Sequence, residues 1–365
     1  MEKMNTFVSK AVIPMRRPQH MLSVVCQHFA EEEVVVTWTE TRGDARFPFG
    51  CGLFEAEATY LLVQAEAEDI PGLLRLKNIL AMHLEELAPE EPPEIVWTGD
   101  GCDVTELPNL RIMRVARTTA LTPQMRRITL SGDDLARFAS GGHHVKVLVP
   151  PEGVATPEWP IAGRNGRPQW PSEDRRPIMR TYTIRRIDVP AGEMDIDFVL
   201  HGDDGIASRW AAAAREGDVV GIMGPGGMSV READWYLLAG DMTALPVISR
   251  LLEELPPTKR GVALIEIPAA SEAQKIKSVT KIELRYLHSA YPESGNTTAL
   301  EEAVKAIVFP DDMKSFVFVG AETSVARRLR SYLRQECGLD RSQHLCAAYW
   351  QLGRREGEGS AKEHD

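Results

Sequence analysis

Cysteine is scarce in this 365-residue chain: Cys26, Cys51, Cys102, Cys337 and Cys346 are odd in number and never form a C-x-x-C pair. That excludes a disulfide framework, a zinc ribbon and a cysteine-held iron–sulfur cluster. No apolar run approaches the ~18 residues that would signal a membrane helix, and the opening ten residues lack the apolar core of a signal peptide. No membrane span is expected, and the cytoplasm is the expected compartment. Positive charge is in deficit, at a net −11, which argues against nucleic acid as a partner because affinity there comes from neutralising phosphates. A G-x-G-x-x-G fingerprint is missing as well. Any redox chemistry must therefore come from a bound organic cofactor.

What remains is a soluble globular composition, 43% hydrophobic and 26% charged, in a chain too long for one ordinary core. The first block ends near the proline-rich acidic stretch at 89–94. Within it, residues 34–38 and 60–63 read as strands and 70–87 as an amphipathic helix opened by Pro71, giving a small α+β domain over 1–98. Residues 108–228 carry short strands at 111–116, 125–130, 144–149, 181–186, 194–200 and 219–223, the pattern of an antiparallel β-barrel. The loop at 151–177, dense in Pro, Gly and charge, is long enough to be mobile or to serve function. From 229 to 353, strands alternate with helical stretches at 244–254, 298–306 and 323–337, the signature of an α/β domain with a parallel sheet. A polar tail, 354–365, follows.

The most informative stretch is Arg180-Thr-Tyr-Thr-Ile-Arg185. One strand there offers an aromatic ring and hydroxyls between two fixed positive charges, which suits the ring and pyrophosphate of a dinucleotide flavin. Further on, His201-Gly-Asp-Asp-Gly-Ile-Ala-Ser-Arg-Trp210 leaves a strand and enters a helix whose first N–H groups can hold phosphate; alone it reads equally as a plain strand-to-helix turn. Gly240-Asp-Met-Thr-Ala-Leu-Pro246 follows the first strand of the α/β domain, where such sheets bind ligands, with Thr243 near a flavin edge or a ribose. Gly224-Pro-Gly-Gly-Met228 reads as the linker between barrel and α/β domain. Tyr349-Trp350 closes the last strand, as packing residues or as a cover for the flavin. Lys146, Arg175, Arg176, Arg186, Arg354 and Arg355 can form a basic rim that draws an anionic substrate by local field. His28, Cys26, Cys51 and His83 match no ligand spacing, and no metal is expected.

In their order, these motifs resemble the siderophore-interacting protein family of NAD(P)H-dependent ferric-siderophore reductases, within the ferredoxin-NADP⁺ reductase-like superfamily. The resemblance runs from about residue 110 to 353 and rests also on His144-Val-Lys146 and Gly320-Ala-Glu322. It implies an FAD-binding β-barrel followed by an NAD(P)H-binding α/β domain. By position, Arg180, Tyr182, Thr183 and Arg185 look like the flavin-ring and pyrophosphate strand, with Thr183 near N5. His201, Asp203, Ile206, Ala207, Ser208 and Trp210 look like the diphosphate and adenine side. Thr243, Glu322 and Trp350 fall on the cofactor side, and Lys146, Arg354 and Arg355 on the siderophore side. Ile206, Met242 and Gln351 depart from the proline, acid and base usual in the family. Residues 1–98 resemble a small domain of unknown function sometimes fused to such reductases, for which a partner or dimer surface is the expected role.

The expected activity is electron transfer from NAD(P)H through FAD to a ferric siderophore, releasing Fe(II). The rivals are a general flavin or ferric reductase, a ferredoxin-fed reductase on the same scaffold, and a noncatalytic siderophore-binding protein.

Overall fold

A computed structural model describes residues 6–32, 34–154, 156–200, 205–227, 230–289 and 298–353. The chain divides into two compact units, one of Met1–Leu110 with Val154–Arg176, the other of Arg111–Gly153 with Pro177–Asp365.

In the first unit, β1 (Phe7–Pro14), α1 (Pro18–Glu31), β2 (Val35–Trp38), β3 (Arg42–Phe47), β4 (Gly50–Ala56), β5 (Tyr60–Ala67), α2 (Ile70–Glu86) and β6 (Thr98–Gly99) build a six-stranded sheet. Its order is β2-β3-β4-β5-β1-β6, with antiparallel pairings. The sheet buries one face. On β1, Ala11 and Ile13 point into the core while Val12 stays 57% exposed, the period-2 alternation of a half-buried strand. The helices close that face with Leu22, Val25 and Phe29 from α1 and Leu73, Leu76, Leu80 and Leu84 from α2. The Asp69 carboxylate caps α2 through Gly72 N–H at 2.6 Å, and Pro71 sits in its first turn, as the sequence predicts.

In the second unit, β7 (Leu110–Thr122), β8 (Met125–Ser131) and β9 (His144–Val149) begin the barrel. The chain then leaves it. Residues 154–176, including the short ribbon β10 (Ile161–Ala162) and β11 (Pro168–Gln169), belong to the first unit. There Trp97 Nε1 donates to Asn165 O at 3.1 Å, and Arg167 pairs with Glu85 at 3.5 Å. What reads as a long loop is thus packed structure. The chain returns with β12 (Ile178–Asp188), β13 (Glu193–Val199), α3 (Ile206–Ala213) and β14 (Val219–Gly226), closing a barrel in the order β12-β13-β8-β7-β14-β9. Gly224 to Gly226, read from sequence as a linker, lie inside β14. Phe138, Phe198, Ile128, Ile184, Ile196 and Ile222 fill the barrel.

The α/β part follows with β15 (Trp235–Gly240), α4 (Leu245–Glu254), β16 (Arg260–Ile267), β17 (Lys281–His288), α5 (Thr298–Lys305), β18 (Ser315–Glu322), α6 (Thr323–Gln335) and β19 (His344–Trp350). All its strands pair in parallel, in the order β17-β16-β15-β18-β19. The interior strand β18 is buried at every position, as a strand covered on both faces must be. Among the described residues, no helix is long and apolar enough to cross a membrane.

Candidate functional site

The barrel strand β12 carries the flavin-type motif, and its register decides which side chains stand together. Thr181 lies opposite Lys146 and Thr183 opposite His144 on β9. The alternate positions Tyr182 and Ile184 belong to the barrel core, where the Tyr182 ring packs on Phe198 at 4.3 Å between centroids and Phe198 in turn meets Trp210 of α3 at 5.6 Å. Thr181, Thr183, His144 and Lys146 therefore share the outer face of the barrel wall. Lys146 Nζ donates to Thr181 Oγ1. Thr183 is 4% exposed, and among the described residues its hydroxyl has no bonded partner.

The two arginines that flank the motif differ in state. Arg185 is neutralised by a two-bond pair with Glu253 of α4, at 2.7 and 2.8 Å, with Asp197 a further 3.9 Å away. Arg180 donates to the backbone O of Met179 at 2.8 Å and, among the described residues, enters no ion pair. Arg180 thus keeps a free positive charge for an anionic ligand, whereas Arg185 serves first to pin β12 against α4. Arg250 reinforces that seam by donating to Ile184 O at 2.9 Å.

At the carboxyl ends of the parallel sheet, three turns converge. Gly240 and Gly320 face one another across β15 and β18. A Cβ on Gly240 would come within 2.5 Å of Gly320 O and of the Ala244 Cβ, so glycine is required for the close approach. Asp241 follows, 2% exposed. Its carboxylate accepts from Thr243 N at 2.8 Å, from Thr243 Oγ1 at 2.5 Å and from Trp350 Nε1 at 2.9 Å. Burial raises its pKa against the pull of those bonds. Glu322 caps α6, accepting from Ser324 N at 2.6 Å, and also receives Leu352 N at 3.3 Å. Burial alone would push its pKa up, but the bonds from Ser324, Leu352 and Val325 prevail and hold it below the ordinary value.

A hydrogen bond joins these two neighbourhoods. His144 Nε2 on the barrel wall meets Tyr349 Oη at the end of β19, 2.9 Å apart. Burial, aided by His143 and Lys146, pushes the His144 pKa down to about 4, so the ring is neutral at pH 7 and acts as a plain hydrogen-bonding partner. Burial also raises the Tyr349 pKa, keeping the phenol protonated.

Residues 114–229 match the profile of the siderophore-interacting FAD-binding domain, and residues 233–353 that of siderophore-interacting proteins. The chain belongs to the siderophore-interacting protein family. It is 30% identical over 252 residues to the ferric vibriobactin reductase ViuB of Vibrio cholerae, covering 67% of this chain and 91% of that protein. The NADPH-dependent ferric-chelate reductase of Escherichia coli is 30% identical over 251 residues, covering 66% and 91%. Among solved structures, the siderophore-interacting protein SipS from Aeromonas hydrophila is 33% identical with a TM-score of 0.58, covering 68% of this chain and 94% of that one. Residues 10–98 match a family described as uncharacterized and conserved in bacteria (DUF2218).

FAD is the cofactor of this family's barrel domain, and the residues present fit it. They supply a charge-bearing Arg180, the unengaged Thr183 hydroxyl and a helix start at α3 whose N-cap, Gly205, provides no side-chain cap. That helix start presents the positive end of a helix dipole to an anion. Ile206, Ala207 and Ser208 form that first turn, with Ala207 and Ser208 buried. His201, Asp203, Arg354 and Arg355 lie outside the described residues. Of the basic rim read from sequence, Arg186 pairs with Asp195, Asp188 and Glu193 at 2.8, 3.1 and 3.2 Å, and Arg175 and Arg176 belong to the first unit. Lys146 remains on the barrel's outer face. Sequence reading passed over Asp241 and the His144–Tyr349 pair. The first had a usable signal, an Asp two residues before Thr at a strand end, the pattern of an Asx turn; the second, 205 residues apart in the chain, had none.

Proposed function

We propose that this protein is an FAD-dependent reductase that passes electrons from NAD(P)H to ferric siderophores and releases Fe(II), acting in the cytoplasm. The observation that carries this reading is the His144–Tyr349 hydrogen bond. It ties β9, which pairs with the strand expected at the flavin, to the sheet ends expected at the nicotinamide, in a chain of siderophore-interacting type. The names of the Vibrio cholerae and Escherichia coli relatives support a ferric chelate as acceptor, and the latter supports NADPH as donor.

When bound, FAD accepts electrons as a pair and can give them up singly, which matches a two-electron donor to a one-electron ferric acceptor. The chain's own groups bind and orient. Arg180 and the first N–H groups of α3 neutralise the pyrophosphate. Thr183 supplies a hydroxyl beside the reacting edge, with Tyr182 and Trp210 stiffening the wall behind it. Thr243 donates its proton to Asp241 and so keeps lone pairs to accept from an amide or a ribose hydroxyl. Lys146 offers positive charge to an anionic chelate in an otherwise acidic protein.

The purified protein is expected to be yellow, to bleach anaerobically on addition of NADPH or NADH, and to regain its colour when a ferric siderophore is added with a ferrous trap. Bound flavin that neither nicotinamide reduces points to an electron-carrier protein as donor. Saturation with free flavin rather than with the chelate points to a general flavin reductase; a protein that takes up no FAD refutes the enzyme reading. Arg180→Ala should weaken FAD binding about tenfold, the loss of one charge-assisted contact. FAD titration monitored by flavin fluorescence measures this, and unchanged affinity would remove Arg180 from the pyrophosphate site.

A further inference from the structure

The C-terminal ends of α1 and α2 lie side by side in the first unit and bring together two imidazoles and two carboxylates. His28 is in the last turn of α1, and Glu32 follows one turn on, on the same helical face. His83 is in the last turn of α2, and Glu86 ends that helix. His28 Nε2 lies 3.0 Å from His83 Nδ1 and 3.3 Å from Glu32 Oε1, while Glu32 Oε2 is 3.7 Å from His83 Nε2 and Glu86 Oε2 is 3.9 Å from His83 Nδ1. We propose that His28, His83 and Glu32 hold a divalent first-row transition-metal ion of the zinc(II) type, with the fourth position open to solvent.

Four observations support the assignment. Ligands about 2.1 Å from a common metal stand about 3.0 Å apart when octahedral and about 3.4 Å apart when tetrahedral, and His28 Nε2 meets its two partners at separations of that size. Two nitrogens and a carboxylate oxygen form a donor set that suits zinc and its neighbours in the row, rather than calcium or magnesium. The negative ends of two helix dipoles point at the site, and Glu86 adds charge at its rim. Finally, the Phe29 ring packs edge-on against His83 at 5.0 Å, fixing the imidazole on its inner side, while the His28 and Glu32 side chains are 31% and 48% exposed and leave an entry path.

The cysteines play no part. Cys26 is two residues from His28 on the same helix and so points to the opposite side, into the core; the Cys51 thiol donates to Asp44 at 3.4 Å. The assignment stands on the first unit alone and does not rest on the reductase reading.

The test uses the full-length, tag-free, FAD-loaded protein after chelator treatment. Cobalt(II) is expected to bind one to one and give ligand-field bands in the visible difference spectrum, and zinc(II) to displace it. His83→Gln and Glu32→Gln should each weaken zinc binding at least about tenfold in competition with a chromophoric chelator, while His20→Gln, an exposed histidine on the same helix, should leave it unchanged. Glu32→Gln lies at the surface and keeps the fold, so its result stands even if the His83 variant unfolds. No stoichiometric binding, or binding that Glu32→Gln leaves intact, overturns the assignment and leaves the two histidines as a hydrogen-bonded structural pair.

Discussion

Thr183→Val is expected to yield a protein that still binds FAD but whose flavin is bleached by saturating NADPH about a hundredfold more slowly than in the parent. The substitution is nearly isosteric and the site is 4% exposed on a strand paired with β9, so the backbone and the stacking wall stay in place. What disappears is the one hydroxyl proposed at the reacting edge. Losing a single well-placed hydrogen bond in the transition state costs on the order of 3 kcal/mol, or about a factor of a hundred in rate, with little change in ground-state binding. Stopped-flow reduction under anaerobic conditions, normalised to flavin content, separates the two effects. A fall in FAD affinity at an unchanged rate would make Thr183 a binding residue only, and no change in either would place its hydroxyl away from the flavin.

Acid is expected to weaken the second unit through His144. Its pKa is pushed down to about 4 in the folded protein, against about 6.5 in an unfolded chain. Between those values the unfolded chain binds a proton that the folded protein refuses, so stability falls as the pH falls. The contribution is intact above about pH 6.5 and is lost progressively down to about pH 4, at most about 3 kcal/mol. The FAD-saturated His144→Gln variant lacks this proton and should lose less of its melting temperature over the same window. Parallel declines in the two proteins would show that the ring is not desolvated as described. The same acidification should disturb the Tyr349 contact, because a charged ring at this position is what burial opposes.

The sequence made the strands around the site legible wherever local alternation and turn residues agreed. Residues 144–149 and 181–186 both lie in barrel strands, with the pairing that puts Thr183 beside His144. The α/β alternation after residue 235 was equally plain, since parallel strands there are continuous apolar runs such as that of β18. What escaped were features with no local period. The engagement of Arg185 with Glu253, 68 residues away, could not be read from charge alone, and it separates two arginines that the sequence treats alike. Likewise His28 and His83 are 55 residues apart, and no spacing in the sequence shows that their rings meet.

Segment 154–176 leaves the chain of the barrel, folds with the first unit and returns. The polypeptide therefore crosses between the two units three times rather than once, and no single cut can separate them. A reductase started at residue 111 would still carry this strap, now without Trp97 to meet Asn165 and without Glu85 to meet Arg167. Conversely, the isolated first 110 residues would expose the surface that the strap covers. The small leading domain is in this sense stitched into the enzyme, and loss of its fold would release a tether on the covalent path between β9 and β12, the two strands that carry His144, Lys146 and Thr183.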